Sequence, residues 1–228
     1  MGRDGGQRAA TTLRRMGDTR ERLMDAAISA LKRQGISGVS ARSIAGEIGA
    51  NQALVFYHFK TVEGLLAAAA LRETGLRLER YRERFAEVRS LRELLTVGQE
   101  LHARERAEGN VALLGQFLAG ATGYPQLADV SAEALRLWTA EIEAVLGRLF
   151  AGHPLAEFLD LAGLAQAVTA GFVGLELYEG VDPAGAAGAF GALDQLGLLV
   201  EVVDGLGPVV SRAVRATVRR QVRNNGAE

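Results

Sequence analysis

Apolar positions recur at helical spacing along nearly the whole chain. The sharpest punctuation falls between Val39 and Lys60, which reads VSARSIAGEIGANQALVFYHFK. Ser40 is a good helix N-cap, and Val39 ahead of it stands where it can pack onto Ile44, one turn into the helix. The helix starting at Ala41 buries Ile44, Ala45 and Ile48 on one stripe. Gly49 follows where a helix end favours a left-handed residue. Asn51 is the next cap. In the short helix it opens, Val55 and Phe59 lie four apart and face inward together. Ala53 and Tyr57 then point the other way, flanked by Leu54 and Phe56, with Gln52 on the first turn. Solvated helix faces are normally rich in Lys and Glu, so this small, aromatic and amide edge predicts a contact surface, of the kind a DNA major groove can take.

Upstream, Leu23, Ala27, Ala30 and Leu31 repeat at helical spacing, and Asp18 with Glu21 resembles a capping box. A first helix is therefore predicted from Asp18 to Gln34, stopped by Gly35, with Ile36 and Val39 covering the open end of a three-helix core. Residues 1–17, a Gly/Arg/Thr stretch without a hydrophobic period, read as a flexible basic tail. Downstream, Thr61 caps a fourth helix. Val62, Leu65, Leu66, Ala69, Ala70, Leu76 and Leu78 carry it as one long rod into the Arg/Glu-rich segment from Tyr81 to Arg89. Ser90 caps a segment to about Glu108, and further helices are predicted over Val111–Ala121, Leu127–Phe150, Leu155–Glu179 and Ala184–Asp204. A last one starts at Pro208 and ends in a basic Arg215–Arg223 run. The fold class is all-α: an N-terminal helix-turn-helix domain over 18–62, a larger helical effector-binding and dimerisation domain over 63–223, and a short tail over 224–228.

Charge sharpens this reading. The net formal charge is −1, yet residues 1–60 carry ten Lys/Arg against five Asp/Glu, and the remainder carries sixteen against twenty-two. A basic small domain joined to an acidic large one suits a protein that offers only one end to phosphates. There is no cysteine, which excludes disulfides, thiol catalysis and cysteine-zinc sites. No secretory leader pattern or long uncharged apolar run is present, so a cytoplasmic location away from membranes is expected. The three histidines, His58, His102 and His153, form no HExxH or paired ExxH pattern. The glycines form no phosphate loop, dinucleotide fingerprint or nucleophile elbow. Neither an enzyme nor a metal or other cofactor is expected.

The segments RERLMDAAISALKRQGISGVSARSIAGEIG, ANQALVFYHF and KTVEGLL resemble the TetR family of bacterial transcriptional regulators. The match is specific over the first third of the chain and follows only the family's general helical layout beyond Glu73. The resemblance implies a homodimer on double-stranded palindromic DNA, released by a small-molecule effector. It also implies that the fourth helix transmits the effector's signal. Arg42 aligns with a position in the second helix that reaches a guanine edge, and Gln52 suits bidentate contact with adenine. Ala53, Leu54 and Tyr57 are read as shape and methyl contacts. Tyr57, His58, Lys60 and the Thr61 helix start are read as phosphate holders. One departure stands out: the family's usual phosphate-binding tyrosine is Phe56 here, and its hydrogen bond cannot be made from that position.

Two further sets are candidates. Gln116, Phe117, Trp138, Phe158, Thr169, Phe172 and Glu176 are candidate pocket residues for a hydrophobic effector, with core packing the competing reading of each aromatic. The last two apolar helices are rich in glycine, which costs about 1 kcal/mol per residue against alanine inside a helix, so close helix approach is the economical reason for it. Gly171, Gly174, Leu175, Tyr178, Leu193, Leu196, Gly197 and Val200 are the candidate dimer interface, packing within one subunit being the alternative. The rival to the whole reading is a helical ligand-binding or protein-interaction protein whose helix-turn-helix reads no bases, and Phe56 is its best support.

Overall fold

A computed structural model describes residues 4–153 and 156–204. Among them every regular element is helical: α1 (Asp4–Gln34), a 3-10 turn (Ile36–Gly38), α2 (Ala41–Glu47), α3 (Ala53–Phe59), α4 (Val62–Glu87), α5 (Leu91–Ala107), α6 (Asn110–Gly120), α7 (Pro125–Leu149), a second 3-10 turn (Ala156–Phe158), α8 (Leu161–Glu179) and α9 (Pro183–Asp204). The all-α class is as predicted.

Local chemistry explains most of the boundaries. Glu93 N donates to Ser90 Oγ at 3.1 Å ahead of α5. Prolines stand at the first positions of α7 and α9, where a missing N–H costs nothing. Asp182 caps α9 by accepting from Gly185 N at 2.9 Å and from the Tyr178 hydroxyl at 2.9 Å. These two bonds, that from Gly185 first, hold its carboxyl below the usual range.

Two expectations need correction. Helix α1 begins at Asp4, so Asp18 and Glu21 lie inside it and form no capping box there. Once the strongly periodic Leu23–Leu31 turns exist, extending the helix backward needs no new nucleus, and the Ala- and Arg-containing stretch extends it. Helix α8 begins at Leu161, because Asp160 accepts from Gly163 N at 3.0 Å and caps it there. Helix α4 is the one long helix expected, and Leu76, though apolar, is 51% exposed on it. The helix predicted from Pro208 lies outside the described residues.

The chain forms two compact units and passes between them within α4, α5 and α7. The first comprises the chain up to Arg77 together with Arg106–Arg136. Its core joins Leu23, Met24 and Leu31 of α1 to Ile44, Val55 and Leu65, and is completed by Leu113, Phe117, Leu127 and Val130 from α6 and α7. The helix-turn-helix thus shares its core with helices far along the chain. The second unit comprises Leu78–Glu105 and the described residues from Leu137 onward. Its core is built from Tyr81, Phe85, Val97, Leu101, Val145 and Leu146, and in it α8 packs along α9.

Candidate nucleic-acid interface

The second helix is fixed at both ends. Ser43 N donates to Ser40 Oγ at 3.1 Å and Ser40 N donates to Ser43 Oγ at 2.9 Å, a reciprocal capping box. At the other end Gly49 adopts φ +65°, and Arg22 of α1 donates to the Ile48 carbonyl at 3.1 Å. Arg33 of α1 makes an ion pair with Glu47. Ala41, Ile44 and Ala45 face the core, which leaves Arg42 on the outside.

Helix α3 is entered through Asn51, whose Oδ1 accepts from Ala53 N at 2.8 Å, with Gln52 making the first backbone turn. Val55 and Phe59 are buried, as their spacing requires. Gln52, Ala53, Phe56 and Tyr57 are exposed, and Leu54 is half-buried against the core. Tyr57 is 59% exposed and Phe56 48%. Arg42 and Gln52, from different helices, line one open concavity of about 480 Å³ with Gly46, Ala50 and Asn51.

The joint after α3 is tight. Lys60 has φ +69° and ψ −43°, and Thr61 N donates to the Phe59 carbonyl at 2.8 Å, so three residues bend the chain by 62° between α3 and α4. A non-glycine residue in that conformation carries about 1–3 kcal/mol of strain, which the surrounding core must hold. Thr61 Oγ1 accepts from Gly64 N at 2.9 Å, caps α4, and also reaches Gln126 Oε1 at 3.3 Å. The contact with Gln126 is invisible to sequence reading, since 65 positions separate the pair. A Cβ on Gly64 would sit 2.5 Å from the Phe59 carbonyl oxygen, so glycine is required there. His58 is half-buried, with Tyr57 edge-on at 5.0 Å. Burial first, and Arg20 second, lower its pKa from 6.5, so it is neutral at pH 7. Of the eight residues, Arg42, Gln52, Ala53, Tyr57 and Lys60 are thus exposed, Leu54 and His58 are half-buried, and Thr61 supplies the cap of α4.

The candidate pocket residues do not all come together. Phe117 belongs to the core of the first unit, where Gln116 also lies. Trp138 packs against Tyr81 and Phe85 in the second unit, ring centres 6.5 and 6.4 Å away. Phe158 lies in the 3-10 turn before α8. Thr169 is buried and its hydroxyl donates to the Ala165 carbonyl at 2.9 Å. Beside it sequence reading missed a buried group. His102 is 8% exposed, with Nε2 2.6 Å from Glu179 Oε2, Nδ1 3.6 Å from Glu176 Oε1, and the rings of Phe172 and Phe190 against it. Its neighbours in sequence suggested a solvated helix face; its real partners lie on α8 and α9.

Of the candidate interface residues, Gly171 and Gly174 face open space, and Tyr178 and Leu196 are exposed. Leu175 and Leu193 are half-buried. Gly197 is buried on its own unit, where a Cβ would meet Leu95 at 3.0 Å. The side chain of Val200 lies outside the described residues.

Residues 23–69 match the family model of the bacterial regulatory proteins, tetR family. No curated protein matches the chain in sequence. Among solved structures, the fold is similar to a protein assigned to the TetR-family regulators in Rhodococcus sp. at 26% identity and TM-score 0.65, covering 81% of this chain and 97% of that one. A second is a protein assigned as a transcriptional regulator in Saccharomonospora viridis, solved with choline: 23% identity, TM-score 0.62, and coverage of 78% and 95%. A third is the multidrug-binding protein EbrR in complex with imidazole: 26% identity, TM-score 0.56, and coverage of 76% and 93%. Sequence over residues 23–69 and fold over the described chain thus point the same way, to a tetR-family domain carried on a fold similar to that of proteins assigned to the TetR-family transcriptional regulators.

Proposed function

We propose that the protein is a homodimeric, sequence-specific repressor that leaves a palindromic operator when a small hydrophobic effector binds. The observation that carries this reading is the pairing of Arg42 and Gln52 on one outward concavity, on helices locked into a shared core. Arg suits guanine and Gln adenine, and the half-buried Leu54 with Ala53 and Tyr57 supplies apolar edge contacts. Lys60, His58 and the capped start of α4 supply phosphate contacts. The basic first sixty residues support it by attracting the duplex.

Dimerisation is supported by α8 and α9. Among the described residues, a Cβ added at Gly171, Gly174, Gly188 or Gly191 would meet nothing within 4 Å, so packing among them does not explain these glycines. Ala167, Ala170, Gly171, Gly174 and Tyr178 are exposed at spacings of three and four on α8, and Ala184, Ala187, Gly188 and Gly191 repeat the pattern on α9. Two such stripes of small residues fit a four-helix contact with a second copy. Helix α8 is apolar and long enough to cross a membrane and lies mostly outside the core. Its buried Glu176 and its packing on α9 favour the dimer contact instead. The effector would bind in the second unit, near Trp138, Thr169, Phe172 and Glu176. The multidrug-binding relative supports a small-molecule ligand there. No catalytic role and no cofactor are part of this reading, and its place is the cytoplasm.

The test is a mobility shift on genomic fragments, including the DNA upstream of the protein's own gene, across a salt series. A saturable shift on one fragment that survives about 150 mM salt supports site-specific regulation. Equal binding of all fragments, lost by that salt, would favour the rival reading of a helix-turn-helix that reads no bases.

A further inference from the structure

Beside the recognition surface lies a second concavity, of about 440 Å³, with Phe56 of α3 on one wall and Tyr124 of the α6–α7 turn among the residues lining the rest. Val62 and Leu66 of α4 and Ile36 of the 3-10 turn add apolar surface, and Glu63 stands at the edge. Arg42 and Gln52 line both concavities, so this groove is continuous with the proposed base-reading face.

Tyr124 is 49% exposed, and its hydroxyl has no hydrogen-bond partner among the described residues. Its position is nevertheless fixed. Its N–H donates to the Gly120 carbonyl at 3.0 Å, and its own carbonyl accepts from Leu127 N at 2.9 Å. Gly120 lies so close to Ile36 that a Cβ would stand 2.9 Å from it, and Gln126 meets Thr61 at the cap of α4. The Tyr124 backbone is held, and its half-exposed phenol lines the groove shared with Arg42 and Gln52, which leaves the hydroxyl open to an incoming acceptor. Phe56, which lines the same groove, can donate nothing.

We propose that Tyr124 is a DNA-backbone contact, its hydroxyl donating to a phosphate oxygen of the strand that enters this groove past Arg42 and Gln52. The contact lies some seventy residues beyond the recognition helix in sequence and tunes affinity without reading bases. Glu63 lines the same groove and repels phosphate, so the contact is expected from the Tyr124 hydroxyl and not from the α4 side chain. The inference rests on the DNA-binding reading above.

The experiment uses full-length protein and a duplex enriched by the wild type from a random-sequence pool. Tyr124→Phe, which removes one oxygen and should leave the melting temperature unchanged, is expected to weaken binding about tenfold, the weight of one charge-assisted hydrogen bond. The loss should be equal on the enriched duplex and a scrambled one, whereas Arg42→Ala loses on the enriched duplex alone. Ethylation interference should show one phosphate per half-site that matters to the wild type and not to Tyr124→Phe. If Tyr124→Phe binds as the wild type does, the Tyr124 contact is wrong while DNA binding stands. If the wild type enriches no duplex, both fall together.

Discussion

The joint between α3 and α4 is sterically closed, and Gly64→Ala tests it. A Cβ there would lie 2.5 Å from the Phe59 carbonyl oxygen and 3.2 Å from Thr61 Oγ1, where ordinary contact begins at 3.4 Å. The Phe59 backbone must retreat by nearly an ångström, and it is the last residue of α3. Alanine gains about 1 kcal/mol in helix propensity. Against this stand about 1–3 kcal/mol for the forced overlap and about 1 kcal/mol for a loosened Thr61 cap. The balance is about 1–3 kcal/mol of destabilisation, or roughly 2–12 °C in Tm for a chain of this size. DNA affinity should fall by at least about tenfold, since a sub-ångström displacement of a reading helix misplaces every bidentate contact. Gly75→Ala is the internal control: it lies on the same helix, a Cβ there meets nothing within 4 Å, and it should stabilise by about 1 kcal/mol. Calorimetry and a fluorescence-anisotropy titration on the enriched duplex read both effects. A Gly64→Ala protein that melts as high as Gly75→Ala and binds as the wild type does would refute the closed joint.

Arg42→Ala should cost about 1–3 kcal/mol on the operator and relax specificity at one base pair, while Lys60→Ala should weaken operator and scrambled DNA alike; competition binding separates the two. His58 has a folded pKa below its unfolded 6.5, so its contribution to stability is present above that value and is lost as pH falls through it. A DNA phosphate favours the protonated ring, so the wild type should gain affinity relative to His58→Gln between about pH 7.5 and pH 5.5, and equal pH profiles would remove His58 from the phosphate contacts. Gly174→Glu places a carboxylate on the open stripe of α8. It should leave the monomer folded yet cost the dimer about 3 kcal/mol or more, over a hundredfold in its dissociation constant, which sedimentation reads directly.

The helix-turn-helix was legible because its signals are local. The Ser40 cap, the Ile44–Ala45 stripe, the left-handed Gly49 and the Val55–Phe59 pair each act within one or two turns, and the structure realises all of them. What the sequence hid was set by distant partners. His102 looked solvated among Glu100, Arg104 and Glu105, but Glu179, on a helix 77 positions away, holds it inside. Leu113 and Phe117 close the core under α1, and no periodicity in α6 says which unit that helix joins. The backward extension of α1 escaped for a different reason. A segment of ordinary propensity joins a helix that already exists next to it, a cooperative effect that local pattern does not carry.

Glycine shows how far residue type and structure divide the labour. Read from sequence, the glycines of α4, α8 and α9 differ little: each costs helix propensity and asks for a reason. The space around each Cβ separates them. At Gly64 the reason is a carbonyl 2.5 Å away, so the residue fixes the angle at which the recognition helix meets α4. At Gly197 it is Leu95 of the same unit. At Gly171, Gly174, Gly188 and Gly191 nothing among the described residues supplies a reason, and four glycines on two adjacent helices sacrifice several kcal/mol of propensity between them. That cost is recovered only if another backbone comes close, and the repeat of the spacing on both helices says the approach is along their length. On the proposed reading that backbone belongs to a second copy of this chain, and the two-fold axis of the contact would set two Arg42–Gln52 surfaces on one duplex.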